Sequence, residues 1–361
     1  MNIALLSYST KPRGGVVHTL ALAEALAAAA QDVTVWSLGR GGDSGFFREV
    51  GPDVRVRIVP FPDGPAGETV GERILRSIAV LGDAFEPFAA TYDIVHAQDC
   101  ISANAVGGRC VRTVHHLDQF TTPELAACHE RAVVEPHAHI CVSRAVADEL
   151  TAGWGIKAQV IPNGVAYDRF AATDPADREA WHARLGPYVL TVGGIEPRKG
   201  SLDLLEAYAL LRIDHPGVRL VVAGGETLFD YREYRARWET RACELGVEPV
   251  VLGPVPDEQL PSLVAAADAF AFPSLKEGFG LAAMEALAAG VPLVVRDLPV
   301  LREVFGPVAR FGATPEGLAD ELGRALTRHD PVRRAAGREL AARHTWNAAA
   351  RRHLDFYRSL T

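Results

Sequence analysis

Short β-rich runs alternate with helical stretches along this chain, and the alternation occurs twice. In the first half the strand candidates are Ile3–Ser7, Val33–Leu38, Val54–Val59, Ile94–His96, Val111–Val114, Ile140–Val142 and Gln159–Ile161. Helical stretches such as Val17–Ala30, Glu72–Ala89 and Arg144–Leu150 separate them. In Val17–Ala30, Leu20, Ala23 and Ala27 recur near one face, with Leu22 and Leu26 broadening it, which is the 3.6-residue period of a core-facing helix. The second half repeats the rhythm with strands at Tyr188–Val192, Arg219–Ala223, Val250–Leu252, Ala269–Phe272 and Leu293–Val295. Its helices are predicted at Leu202–Leu211, Asp230–Leu245, Asp257–Ala266, Gly280–Ala289 and Pro315–Leu326. Such alternation implies mainly parallel sheets covered by helices on both faces.

At 361 residues the chain exceeds the usual size of one core, so two domains are expected. The polar, Ala-rich stretch Ala171–Asp177 has no hydrophobic period and reads as the linker. The fold class is therefore α/β, two doubly wound Rossmann-like domains over residues 1–170 and 171–344. Open sheets of this kind collect ligands at the C-terminal ends of their strands. Two of them facing each other would leave a cleft that two substrates enter from opposite sides and that excludes water on closure.

The stretch Phe272–Pro292, FPSLKEGFGLAAMEALAAGVP, reads as a buried strand, a Gly-punctuated turn and a helix opening near Gly280. A helix N-terminus offers unpaired N–H groups and a positive dipole end, which suits a phosphate. Glu277 and Glu285 flank that turn, and a carboxylate beside a phosphate would repel it. Their placement makes sense if they face the neutral hydroxyls on either side of a diphosphate, which describes a nucleotide sugar. A solvated acidic turn is the alternative for an isolated Glu pair.

With Pro273-Ser274, Gly278-Phe279-Gly280-Leu281, Glu285-Ala286 and Gly290-Val291-Pro292 around them, the two glutamates resemble the signature of the retaining GT-B glycosyltransferases of family 4. The resemblance runs from Ile3 to the final helix, densest in the second half. It implies that Glu277 holds the donor sugar's hydroxyls, that Glu285 holds the ribose, and that backbone amides of Gly280-Leu281, with Gly278 and Phe279 shaping the turn, meet the diphosphate. It also implies that the helical tail from Thr345 to Leu360 crosses back to the first domain.

Other segments fit the same reading. Lys199, after Gly193-Gly194-Ile195-Glu196-Pro197-Arg198, would neutralise a departing diphosphate. The family's usual Arg after the strand's Gly is Gly194 here, so Arg198 is expected to supply that charge. Gly14 and Gly15 follow the first strand and allow close backbone approach, and the resemblance places them over the donor phosphates. The segment is not GxGxxG, which disfavours a dinucleotide-dependent dehydrogenase. His115 ends the strand Val111–Val114, where the family has a His beside the sugar's 6-position, and is preferred over His116. Gln98 and Asp99 end another strand at the expected acceptor side, though loop capping would explain them equally. Gly224-Gly225 and Gly253-Pro254-Val255 fit loops around the nucleoside, with backbone near Val255 reading the base edge.

Composition narrows the partners. A net charge of -8 argues against nucleic acid. The first 170 residues hold 14 Lys/Arg against 19 Asp/Glu, poor attraction for an anionic bilayer. The N-terminus, Met1-Asn2-Ile3-Ala4-Leu5-Leu6, reads as a first strand rather than a signal peptide, and no apolar run is long enough to span a membrane. Cys100, Cys110, Cys128, Cys141 and Cys243 form no CxxC pair, as in a reducing cytoplasm. The resemblance implies transfer of a hexose from a nucleotide-diphosphate sugar to a small-molecule, glycan or lipid hydroxyl, with retention of configuration. It needs no cofactor and no metal, because the leaving diphosphate accepts the acceptor's proton, and no DxD triplet is present. A sugar-nucleotide epimerase or phosphorylase of the same fold, and a non-catalytic partner subunit, remain as alternatives.

Overall fold

The structure, a computed structural model, describes residues 1–118, 120, 122–224 and 231–360. The chain divides into two compact units, Met1–Gly164 together with the chain from Trp346 onward, and Val165–Thr345.

Among the described residues the first unit has one parallel sheet in the order β3-β2-β1-β4-β5-β6-β7. Its strands are β1 (Asn2–Ser7), β2 (Asp32–Arg40), β3 (Val54–Phe61), β4 (Ile94–Ala97), β5 (Val111–Val114), β6 (Ala138–Cys141) and β7 (Gln159–Val160). The connecting helices are α1 (Gly14–Ala28), α2 (Val70–Phe85), α3 (Cys100–Val106), α4 (Pro123–Val134) and α5 (Arg144–Trp154). β1 is apolar at successive positions because both its faces are covered. Ile3 and Leu5 enter one core with Leu20, Leu22 and Leu26 of α1. Ala4 and Leu6 point the other way, into a core with Trp36, Leu81 and Phe85. α2 begins in a capping box, Thr69 accepting from the Glu72 N–H while Glu72 accepts from Thr69. It gives way to a 3-10 turn over Glu86–Thr91, where Pro87 supplies no N–H.

The second unit carries a parallel sheet in the order β10-β9-β8-β11-β12-β13. It contains α6 (Tyr167–Ala171), α7 (Pro175–Leu185), β8 (Tyr188–Val192), α8 (Ser201–Asp214), β9 (Arg219–Ala223), α9 (Arg232–Leu245), β10 (Val250–Gly253), α10 (Leu260–Ala265) and β11 (Ala269–Phe272). Then follow α11 (Leu281–Ala288), β12 (Leu293–Arg296), α12 (Pro299–Phe305), β13 (Arg310–Gly312), α13 (Pro315–Thr327) and α14 (Pro331–Arg343). Val189, Leu205, Tyr208, Val222, Trp238 and Leu318 are central to its core. The last helix, α15 (Trp346–Arg358), packs on α1 and sends Ala350, Leu354 and Tyr357 into the first unit's core.

Two expectations need correction. Ala171–Asp177 is not the linker: α6 ends at Ala171 and α7 starts at Pro175, capped by Asp174, whose side chain accepts the Ala176 N–H. The first unit ends at Gly164 rather than at residue 170, because α6 packs on α10 and α11 and seats Phe170 in the second unit. Asp230, the expected start of α9, and Gly225 lie outside the described residues. No helix among the described residues is long and apolar enough to cross a membrane.

Candidate active site

The strand order of each sheet reverses direction once, and there the chain leaves neighbouring strands toward opposite sides and opens a crevice at their C-terminal ends. In the second sheet this point lies between β8 and β11. The segments after these strands, residues 193–199 and 273–281, carry most of the sequence-predicted donor residues.

Glu277 is their centre. Its carboxylate is nearly sealed, the side chain 10% exposed, and Oε1 accepts from Lys199 Nζ at 2.6 Å and from Arg198 Nη1 at 3.3 Å. Burial alone would raise its pKa; the two cations outweigh burial and hold the carboxyl down at about 2. Arg198 also meets the Glu196 carboxylate at 3.3 Å, so it spans two acids. Lys199 lies 5.3 Å from the centroid of the Phe272 ring.

The backbone that brings these groups together is tightly specified. Gly200 has φ +64, and a Cβ there would lie 2.3 Å from the Pro273 carbonyl oxygen, so only glycine lets the chain after Lys199 pass this close to β11. The same Pro273 oxygen accepts from Arg296 Nε at 3.1 Å. Arg296, at the end of β12, is buried and continues to the Ala313 carbonyl at 2.8 Å and to Asp203 at 2.5 Å. It ties three strand ends and α8 to the loop that carries Glu277. Sequence reasoning missed it; an arginine closing the apolar run Leu293-Val294-Val295 was the available signal.

Gly280 precedes α11 with φ +98, and a Cβ there would press on the Phe305 ring at 3.0 Å. No side chain caps this helix, so its first N–H groups stay available. Gly278, Phe279 and Gly280 are buried and Leu281 half-buried.

Glu285, one turn into α11, differs from Glu277. Burial pushes its carboxyl up to about 8; Arg169 draws it down and Asp257 raises it further. Arg169 is paired with Asp257 at 2.8 Å, so its charge is shared between two acids and burial outweighs it at Glu285. The two glutamates thus present one ionised and one mostly protonated carboxyl at neutral pH. Gly194 sits where β8, β9 and β10 end: Gly193 N donates to Ala223 O, and Gly224 N to Gly253 O. A Cβ on Gly224 would strike Gly193 and the Gly194 nitrogen, so these loops are in backbone contact. Val255 is half-buried two residues beyond Gly253.

In the first sheet the reversal lies between β1 and β4. α1 opens at Gly14, and a methyl group on Gly15 would sit 3.7 Å from His115 Nε2. His115 Nε2 is buried without a hydrogen-bond partner, and burial, then Arg112, keeps the ring far below its ordinary pKa. His116 instead pairs with Asp118 at 2.9 Å, which separates the two neighbours. Gln98 is buried with neither side-chain amide atom hydrogen-bonded, an arrangement that favours a ligand partner. Asp99 spends its oxygens on the Ser102 and Tyr8 N–H groups, at 2.8 and 2.9 Å. It caps α3 and fixes the loop after β1. Beneath these residues lies an unanticipated histidine cluster. His18 meets His115 at 4.8 Å and His353 at 6.3 Å between ring centroids, and His96 meets His353 at 5.8 Å. His96 bonds the Tyr357 hydroxyl at 2.6 Å and Thr113 Oγ1 at 2.7 Å. Among the described residues no group of three or more His, Cys, Asp or Glu is placed to hold a metal ion.

Two doubly wound parallel sheets in one chain, each with polar side chains and glycines gathered where its strand order reverses, define the GT-B class of glycosyltransferase architecture. Residues 12–169 match glycosyltransferase family 4, and residues 176–335 match glycosyl transferases group 1. The chain is 30% identical to the D-inositol 3-phosphate glycosyltransferase of Xylanimonas cellulosilytica, over 99% of this chain and 97% of that one. It is 28% identical to the phosphatidyl-myo-inositol mannosyltransferase of Mycobacterium leprae, over 98% of this chain and 95% of that one. In fold it is similar to sucrose-phosphate synthase from Thermosynechococcus elongatus, with TM-score 0.81, 23% identity and coverage of 100% and 99% of the two chains. Anabaena HepE, solved in complex with UDP and glucose, aligns with TM-score 0.76 and 20% identity over 99% of each chain. The chain belongs to glycosyltransferase family 4, the glycosyl transferases group 1, and is a glycosyltransferase.

Proposed function

We propose that this enzyme moves a hexose from a nucleotide-diphosphate sugar to a hydroxyl acceptor with retention of anomeric configuration, without a metal or cofactor. The observation that carries the reading is the convergence of Lys199 and Arg198 on one oxygen of buried Glu277, on the segment leading into the uncapped start of α11. Both cations meet the Glu277 carboxylate, and Arg198 also donates to the Lys276 carbonyl at 3.3 Å. With a diphosphate against the helix start, they turn to its oxygens, and Glu277 is left to accept hydrogen bonds from the sugar's hydroxyls. As the glycosidic bond breaks, charge builds on the diphosphate, where Lys199, Arg198 and the α11 N–H groups stabilise it. Glu285 accepts from the ribose hydroxyls, and Gly194 and Val255 line the nucleoside. The family resemblance gives Gly14, Gly15 and His115 a part in holding the donor, and Gln98 one toward the acceptor. Free, mostly buried cysteines accord with a cytoplasmic setting.

Thermal-shift screening of UDP-, GDP- and ADP-sugars identifies the donor, since a ligand of the native state raises its stability. The product's anomeric configuration, read from NMR couplings, tests retention; inversion overturns it. Activity that survives chelator treatment is expected, and its complete loss, restored by a divalent ion, overturns metal independence. An epimerase would convert the donor with no acceptor present, and a partner subunit would bind it without turnover.

A further inference from the structure

The second unit holds a cavity of about 580 Å³ on the side of its sheet away from the Lys199–Glu277 cluster. Its walls include Asp268, just before β11, and Leu293, which begins β12, so it opens at the N-terminal ends of the strands. The other cluster lies at their C-terminal ends. The volume is that of a site for a small organic molecule.

The lining is strongly cationic. Arg178, Arg310, Arg328, Arg333 and Arg334 contribute five guanidinium groups. The acids there are largely committed. Asp268 accepts the Tyr188 N–H at 2.8 Å, and Asp330 caps α14 and pairs with Arg333 at 3.1 Å. Arg310 is held by Glu321 at 3.5 Å and Arg333 also donates to the Pro307 carbonyl at 2.7 Å. Arg178, Arg328 and Arg334 make no ion pair among the described residues, and Arg178 Nε is buried without a hydrogen-bond partner. Glu179 is the remaining counter-charge. Guanidinium forks left unpaired around a cavity match phosphate oxygens in geometry and charge. Part of the wall is apolar, from Leu287, Val291 and Pro292, and the space far exceeds one phosphate.

We propose that this cavity binds a phosphomonoester of a small polar metabolite, at a site separate from the donor-binding cluster. Its wall is continuous with that cluster. Leu287 lies in the last turn of α11, the helix that carries Glu285, and Leu293 begins β12, the strand that ends in Arg296. An occupant therefore packs against the far ends of both elements that position the donor residues, the arrangement of an effector site.

Isothermal titration with glucose 6-phosphate tests this, with sodium phosphate as a second probe and glucose and sodium chloride at equal ionic strength as controls. Binding is expected for the phosphorylated probe and not for glucose or chloride. In Arg328→Glu/Arg334→Glu the Kd rises about tenfold or more, because two charge-assisted contacts become repulsive. In Lys199→Ala it stays within about twofold of wild type. Arg178→Gln supplies the same test through a single neutral change if the charge reversal impairs folding. Binding that survives the cavity variants, vanishes in Lys199→Ala, is matched by the controls, or is absent for both phosphate probes overturns the proposal.

Discussion

Replacing Glu285 with glutamine separates what this carboxyl costs the fold from what it contributes to binding. A glutamate whose pKa rises from its ordinary 4.5 to about 8 on folding holds its proton more tightly in the native state. The stability this confers is fully present below pH 4.5 and is lost as pH rises through 8. At 1.36 kcal/mol per pH unit the full span is about 5 kcal/mol. Glu285 is half-buried and keeps some contact with solvent, which reduces the expected loss to about 2–3 kcal/mol. Glutamine has the shape of the protonated form and never ionises. Urea unfolding of wild type and Glu285→Gln at pH 5 and pH 9 reads the difference, in which every other pH effect cancels. The variant should be within about 1 kcal/mol of wild type at pH 5 and more stable by about 2–3 kcal/mol at pH 9. A difference that does not change with pH would refute the burial argument. Ribose hydroxyls favour the ionised carboxylate, so wild-type affinity for the donor's nucleotide should rise between pH 6 and 8, while that of the glutamine variant is weaker and flat.

Lys199→Ala should lower kcat about 10²–10³-fold, the loss of one preorganised charge at a leaving group. Arg198→Ala should also cut turnover sharply, and unchanged steady-state rates in either variant contradict their assignment. The first unit should be acid-labile: His353, buried and depressed from 6.5 to about 4, favours the unfolded chain as pH falls between these values, by about 3 kcal/mol when complete. His18 and His96 are lowered by burial in the same sense, so a His353→Leu variant should flatten the unfolding midpoint against pH. Gly200→Ala should destabilise by about 2 kcal/mol or more, because it combines a positive φ with a clash against backbone; calorimetric unfolding that matches wild type would exclude that strain.

The residues legible in the sequence were those whose chemistry is local. Gly280 before an apolar helix, Lys199 after a Gly-rich turn and the strands of both sheets are visible because period and turn chemistry act over a few residues. The linker was misplaced because α6 is five residues long, too short for a period, and its docking depends on α10 and α11, which lie far along the chain. The same limit hid Arg296, which acts through Pro273, Ala313 and Asp203, and the pairing of Arg169 with Asp257, which makes Glu285 share its nearby cation with another acid. It also conceals that the two glutamates differ. As sequence, both are acids flanking a turn; only the fold gives one of them two cations and the other none of its own. Ionisation in a buried site is a property of the surroundings, so the difference between Glu277 and Glu285 appears once the residues brought beside them from other elements are counted.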